Sequence, residues 1–238
     1  MISVVTTLGG DGHRLPYTLD LASSLFAECP DPHVASLHVL CEGVVGGAEV
    51  ARLRRIGSLT GWPMFVDWAA PDWGMASYWH FFSSAPEPIV CRFHPEARPS
   101  SSDWAAPALD LLEDEATAAV ASSGYLIDTS TRTLIPVAEH GADIDVLGDV
   151  CLLTKRDVWA RLPLPPMPAS HLGHCLDALA LGPHLRRHEH RIRVSEIAVD
   201  RVLAPSNREH HFRGSDPESA TWEAFWEGAR ALARPSNR

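Results

Sequence analysis

Short apolar runs that stop abruptly at glycine or polar turns, each followed by a helix-length stretch, constrain this chain more than any other feature. The pattern holds through roughly the first 125 residues. The β-branched run Ile2–Leu8 is stopped by Gly9-Gly10-Asp11-Gly12. From Leu15 to Phe26 the spacing predicts a helix, with Leu15, Leu19, Ala22 and Phe26 on one face. A second strand, Ser36–Cys41, stops at Glu42-Gly43, and a further helix fits Ala48–Leu59. A third strand, Pro88–Phe93, runs into His94-Pro95-Glu96. Ser102 then suits the cap of a helix passing Trp104, Leu109 and Leu112 toward Ala121. Repeated strand–turn–helix units predict an α/β fold: a mixed, mostly parallel sheet flanked by helices.

The second half reads less regularly. Asp145–Thr154 has the composition of a strand and Lys155–Leu162 that of a short helix. Pro163, Pro165, Pro166 and Pro168 require a loop. His171–Arg187 reads as helical, with Gly182-Pro183 expected to interrupt it, and Arg191–Val199 as a late strand. Near the end, Ser215 and Glu218 form a capping box. Trp222, Phe225, Trp226, Ala229, Leu232 and Ala233 then share one helix face.

Composition narrows the function classes. The chain has 238 residues, 45% of them hydrophobic and 21% charged, enough to fill a core. Its formal net charge of −10 argues against non-specific binding to nucleic acid or anionic membranes. No apolar run approaches the ~18–20 residues of a membrane span. Met1 leads directly into the first strand without a basic stretch, so no secretory leader is expected. Cysteines 29, 41, 91, 151 and 175 are odd in number and form no CxxC pair. Reduced thiols in a cytoplasm are the expectation. The oligomeric state is left open.

Chemistry in such a sheet belongs beyond the carboxyl ends of the strands. The turn GGDGHRL lacks the full dinucleotide fingerprint, and Pro16 delays the helix that would cradle a pyrophosphate; a plain tight turn is the stronger reading. His94 and Glu96, two residues apart after a buried strand, point the same way and can share one divalent cation. His171/His174 and His184/His188 have helical ligand spacing but no Glu between them. Residues 62–82 hold four of the eight tryptophans and suit core, lid or an acceptor groove.

The order of these segments resembles the family 2 glycosyltransferases of GT-A fold. A strand beginning Ile2-Ser3-Val4-Val5 opens the chain, and Leu40-Cys41-Glu42-Gly43-Val44 resembles the acidic end of the family's second strand. Arg92-Phe93-His94-Pro95-Glu96-Ala97-Arg98-Pro99, with Asp103-Trp104, resembles the DxD segment, so that His94 and Glu96 fall on its two acidic positions. Gly148–Arg156 and Leu176-Asp177-Ala178, leading to Arg191-Ile192, resemble later family segments.

The resemblance implies a single GT-A-like domain over 1–238. Residues to about 125 would form a nucleotide-binding half, and about 126–238 an acceptor half with a C-terminal helix. It implies a metal-assisted transferase moving a sugar from a nucleoside-diphosphate donor to a small-molecule or glycoconjugate acceptor. A divalent metal, Mn or Mg, would sit on His94 and Glu96, with His210 or His211 as a further ligand. Thr7, Glu42 and His94 would contact the nucleotide, and Asp177 would act as general base. Three rivals stay open. They are a degenerate GT-A domain that binds without transfer, a Rossmann-like enzyme using Gly10, Gly12 and Glu42, and a zinc enzyme built on the histidines.

Overall fold

The computed structural model describes residues 1–8, 15–41, 45–68, 80–148, 150–163 and 181–201. Strand β1 (Ile2–Leu8) is buried along its whole length, because it lies inside a seven-stranded sheet. Strands β2 (Val34–Cys41) and β3 (Met64–Trp68) follow on one side, and β4 (Ile89–Phe93) lies on the other. Beyond β4 come β10 (Cys151–Lys155), β6 (Thr117–Ala121) and β11 (Arg191–Val194). Counted in chain order, the sheet's own strands stand 3-2-1-4-6-5-7. All neighbouring pairs are parallel except the two made by β10. The predicted mixed, mostly parallel sheet is therefore what forms.

The alternation of side chains explains both faces. Ile2, Val4 and Leu8 enter one apolar cluster and Val5 the other, as the period of two in a strand requires. The first face is covered by α1 (Leu15–Ser23), α2 (Gly47–Thr60) and α3 (Ala106–Leu112), through Leu21, Leu53 and Ala108 among others. The second is covered by the helical turn at 80–84, by α4 (Arg156–Arg161) and by the helical segment 181–187. Phe82, Trp159, Leu181 and Leu185 supply its apolar surface. Helix α2 buries Val50, Leu53 and Gly57 on one stripe and ends at Gly61, whose φ of +71° suits a left-handed cap.

Several expectations are met closely and several are corrected. The strands at Ile2–Leu8, Ser36–Cys41 and Pro88–Phe93 all form, within two residues of the predicted bounds. Pro16 lies within the first turn of α1 and does not delay it. The helix then continues as a π-turn over Ser24–Glu28, where the Cys29 N–H reaches the Ser24 carbonyl at 2.8 Å.

The helix expected to run toward Ala121 ends at Leu112. Asp114 takes the Ala116 N–H at 3.0 Å and the Thr117 hydroxyl at 3.2 Å, which turns the chain. The alanine-rich stretch that follows is β6, paired with β10 on one side and β11 on the other and buried on both faces. Asp145–Thr154 is two strands: β9 (Val146–Leu147) pairs with a hairpin, and β10 enters the main sheet. The break falls at Gly148, where a Cβ would collide with Ser123. Arg191–Val199 is likewise divided. After β11 the chain crosses at Ser195–Ala198, and β12 (Val199–Arg201) pairs antiparallel with β5 (Ala97–Pro99). Sequence reading missed β3 and the hairpin of β7 (Gly124–Asp128) and β8 (Thr133–Val137).

Candidate nucleotide crevice

Six strands of the sheet end on one edge, at Leu8, Cys41, Trp68, Phe93, Ala121 and Val194. The strand order reverses between β1 and β4, which is where an open α/β sheet offers a ligand site. Two of the expected site residues stand at those two strand ends.

The first is Thr7. Its side chain is 1% exposed, yet neither its hydroxyl nor that of Thr6 has a hydrogen-bond partner among the described residues. A buried hydroxyl without a partner costs stability, so such a group at a strand end marks a place where something else can bind.

The second is His94, directly after β4. Its N–H donates to the Val150 carbonyl at 2.9 Å, and its carbonyl accepts the Ala97 N–H at 2.9 Å, closing a tight turn over His94–Ala97. Inside that turn the Glu96 N–H donates to His94 Nδ1 at 3.3 Å. Glu96 Oε2 lies 3.9 Å from the same Nδ1, and the two side chains are 14% and 18% exposed. Strand β1 pairs with β4 from Ile2–Ile89 to Val5–Arg92. Thr7 and His94 each lie two residues beyond the end of that pairing, on neighbouring strands.

An imidazole and a carboxylate in one turn fit a divalent cation as a partial shell. Among the described residues no group of three or more His, Cys, Asp or Glu is arranged to hold a metal. Glu42, Asp177, His210 and His211 lie outside the described residues. So do the glycine turn at 9–12, Cys175, the pair His171/His174 and the C-terminal helix.

The other sequence candidates have structural roles where they are described. His184 has Nε2 3.0 Å from the Pro163 carbonyl and packs edge-on against His188. That nitrogen must donate, which removes it as a zinc ligand. Of the aromatic stretch, Phe82 is buried core, Trp62 packs on Phe26, and Phe65 and Trp68 are half exposed. Trp73, Tyr78 and Trp79 lie outside the described residues. Cys29, Cys41, Cys91 and Cys151 are free thiols, as expected. Burial pushes Cys41 up to about 11, so it is not a reactive thiolate.

Two features were not singled out from sequence. His38 is sandwiched between Phe65 and Phe81, with ring centroids 5.0 and 4.7 Å away. Its Nε2 lies 3.0 Å from Ser36 Oγ and its Nδ1 4.0 Å from Asp67. Burial lowers its pKa, and Asp67 only partly opposes this. Arg92 is the second: an arginine 3% exposed in the middle of the sheet. A charged residue inside an otherwise apolar strand was the available signal.

No protein-family model matches the sequence, and no curated protein matches it. Solved structures do match the fold. GalNAc-T7 with UDP, GalNAc and Mn2+ superposes with a TM-score of 0.70 at 10% identity. That match covers 95% of this chain but 47% of the GalNAc-T7 chain, so this chain spans about half of it.

The chain has the GT-A fold. The mannosyltransferase PcManGT from Pyrobaculum calidifontis, in complex with GDP-Man and Mn2+, matches with a TM-score of 0.59 at 10% identity. Here the match covers 97% of this chain and 73% of that one. CMP:2-keto-3-deoxy-manno-octonic acid synthetase complexed with CTP matches at 0.55 and 12% identity, over 88% of this chain and 95% of that one. The GT-A sheet thus draws strands from both halves of the described chain, and Thr7 and His94 stand at the carboxyl ends of β1 and β4. No helix among the described residues is long and apolar enough to cross a membrane.

Proposed function

We propose that this GT-A chain is a glycosyltransferase that moves a sugar from a nucleoside diphosphate to a small-molecule or glycoconjugate acceptor. The observation that carries the reading is a buried Thr7 hydroxyl, without a partner among the described residues, at the end of β1 beside β4, whose end carries the His94–Glu96 turn, at the reversal of strand order. The half of the chain up to about residue 125 would hold the donor and the remainder the acceptor, within one domain. Thr7 and Glu42 would bind the nucleoside. His94 and Glu96 would hold a divalent cation, Mn or Mg, with His210 or His211 as the further protein ligand. When bound, that ion neutralises charge on the diphosphate leaving group. Asp177 would take the proton from the acceptor hydroxyl, so that direct displacement inverts the anomeric centre. We place the protein in the cytoplasm.

A second reading, a GT-A domain that binds nucleotide without transfer, is favoured by one observation. The first acidic position of the motif is an imidazole whose Nδ1 is already engaged by the Glu96 N–H.

Thermal melting against UDP, GDP, CDP and dTDP, with and without Mn2+, tests both. A ligand at 100 times its Kd stabilises by about 2.7 kcal/mol, readily seen as a shift in Tm. One nucleoside diphosphate should stabilise the wild type, with a metal-dependent increment lost in the His94→Ala/Glu96→Ala double variant. Donor-sugar turnover separates the transferase from the binding domain. Absence of any shift with every nucleotide would sink both.

A further inference from the structure

Helix α2 carries two opposed stripes. Val50, Leu53 and Gly57 are buried against the sheet, while Arg52, Arg55 and Leu59, three and four residues apart, form an exposed row on the other side. Neither Arg52 nor Arg55 has an ion-pair partner among the described residues. The helix's one carboxylate, Glu49, folds back against Gly46 at the helix N-terminus. Arg54 reaches sideways instead. Its Nη2 donates to the Val66 carbonyl at 3.0 Å on β3, the strand that ends the sheet on this side. A guanidinium on an edge carbonyl blunts that edge against addition of another strand.

The same edge exposes large apolar side chains: Leu59 is 75% exposed, Trp68 54% and Phe65 52%. Single exposed apolar residues are ordinary, but here three stand with three arginines on two elements packed together. Asp67, the only carboxylate of β3, lies 4.0 Å from His38 Nδ1. Arginine with leucine, tryptophan and phenylalanine is the chemistry of a surface that rests on a bilayer. The apolar side chains enter the headgroup boundary while the guanidinium groups meet lipid phosphates. A second copy docked edge to edge would set the arginines against each other. The chain as a whole carries −10, so attraction to an anionic bilayer has to come from a local excess of cations, which also sets the orientation.

We infer that the α2–β3 edge docks the protein on an anionic lipid bilayer, with Arg52 and Arg55 on lipid phosphates and Leu59 and Trp68 in the headgroup region. The inference uses none of the crevice residues and stands independently of the nucleotide reading.

The test is co-sedimentation of the full chain with vesicles of phosphatidylcholine, alone and with phosphatidylserine added, in low salt and at ~1 M, where the screening length falls to about 3 Å. Binding should require phosphatidylserine and be lost in high salt. At roughly fivefold per arginine, Arg52→Gln/Arg55→Gln should bind about 25-fold more weakly. Leu59→Ser and Trp68→Ser should each weaken binding as well. All four positions are exposed, so the Tm of the free protein should stay within a few degrees of wild type.

Should the double variant fail to fold, Arg52→Gln and Arg55→Gln alone must each lose about fivefold. Wild type that stays in solution with phosphatidylserine vesicles in low salt would overturn the inference. So would vesicle binding that these variants leave unchanged, which would put the contact elsewhere. If polyglutamate in solution binds as tightly as the vesicles, and Leu59→Ser and Trp68→Ser bind vesicles like wild type, the arginines serve an acidic protein partner and the bilayer assignment falls.

Discussion

At the scale of single residues, three histidines have a lowered proton affinity. His38, His184 and His190 are all held below the ordinary histidine value of 6.5. Burial is the first cause for each. For His184 and His190, His188 and nearby cations add to it; Lys155 and Arg161 are among them for His190. Because the folded chain binds these protons more weakly than the unfolded chain, stability is fully present above pH ~6.5. It is lost progressively as pH falls through the lowered folded values. Chemical denaturation should thus give a lower midpoint at pH 5.5 than at pH 7.5. His38→Phe should flatten that slope while keeping the aromatic stack. An unchanged slope in the variant would assign the acid sensitivity elsewhere. The residue scale is also where sequence reading was weakest. His94 and Glu96 were visible because a histidine and a carboxylate stood beside a β-branched run. Thr7 came only through the family resemblance and Arg92 was passed over despite its charge in an apolar strand, since nothing local reveals that a residue is 1% or 3% exposed.

Among elements, β6 and β10 show how packing overrides propensity. Ala118, Ala119 and Ala121 are completely buried in β6, although alanine is the best helix former. What selects the strand is pairing: β6 lies between β10 and β11, and both hydrogen-bond to its backbone. A polar relay fixes the contact, because the Trp159 indole N–H donates to Thr154 Oγ1, which donates to the Ala118 carbonyl at 2.9 Å. Thr154→Val keeps the shape but leaves a buried indole N–H and a carbonyl unmatched. It should cost about 1–3 kcal/mol in denaturant unfolding and leave nucleotide-induced stabilisation unchanged. A neutral result would mean that water replaces the hydroxyl.

Over the whole molecule, the two halves share one sheet. Strand β10 comes from the second half and lies antiparallel between β4 and β6 of the first. Residues 1–125 alone would leave β4 with a bare edge and β6 with no neighbour. That fragment should fail to unfold cooperatively by circular dichroism, whereas the full chain should show one transition. A cooperative fragment would mean that β1–β4 with α1 and α2 suffices as a core. The sequence by itself determined the strand–helix units from Ile2 to Thr60, the strand before His94 and the α/β class. Periodicity and turn-forming glycines act over a few neighbouring residues, so those signals are local and readable. Only the tertiary structure decided that an alanine run is a strand and that Asp145–Thr154 divides at Gly148. It alone decided that the order reverses between β1 and β4, and that Thr7 and Arg92 are buried. Each of those outcomes depends on which distant segments meet, and the free energy of burial that chooses among them exists only once they have met.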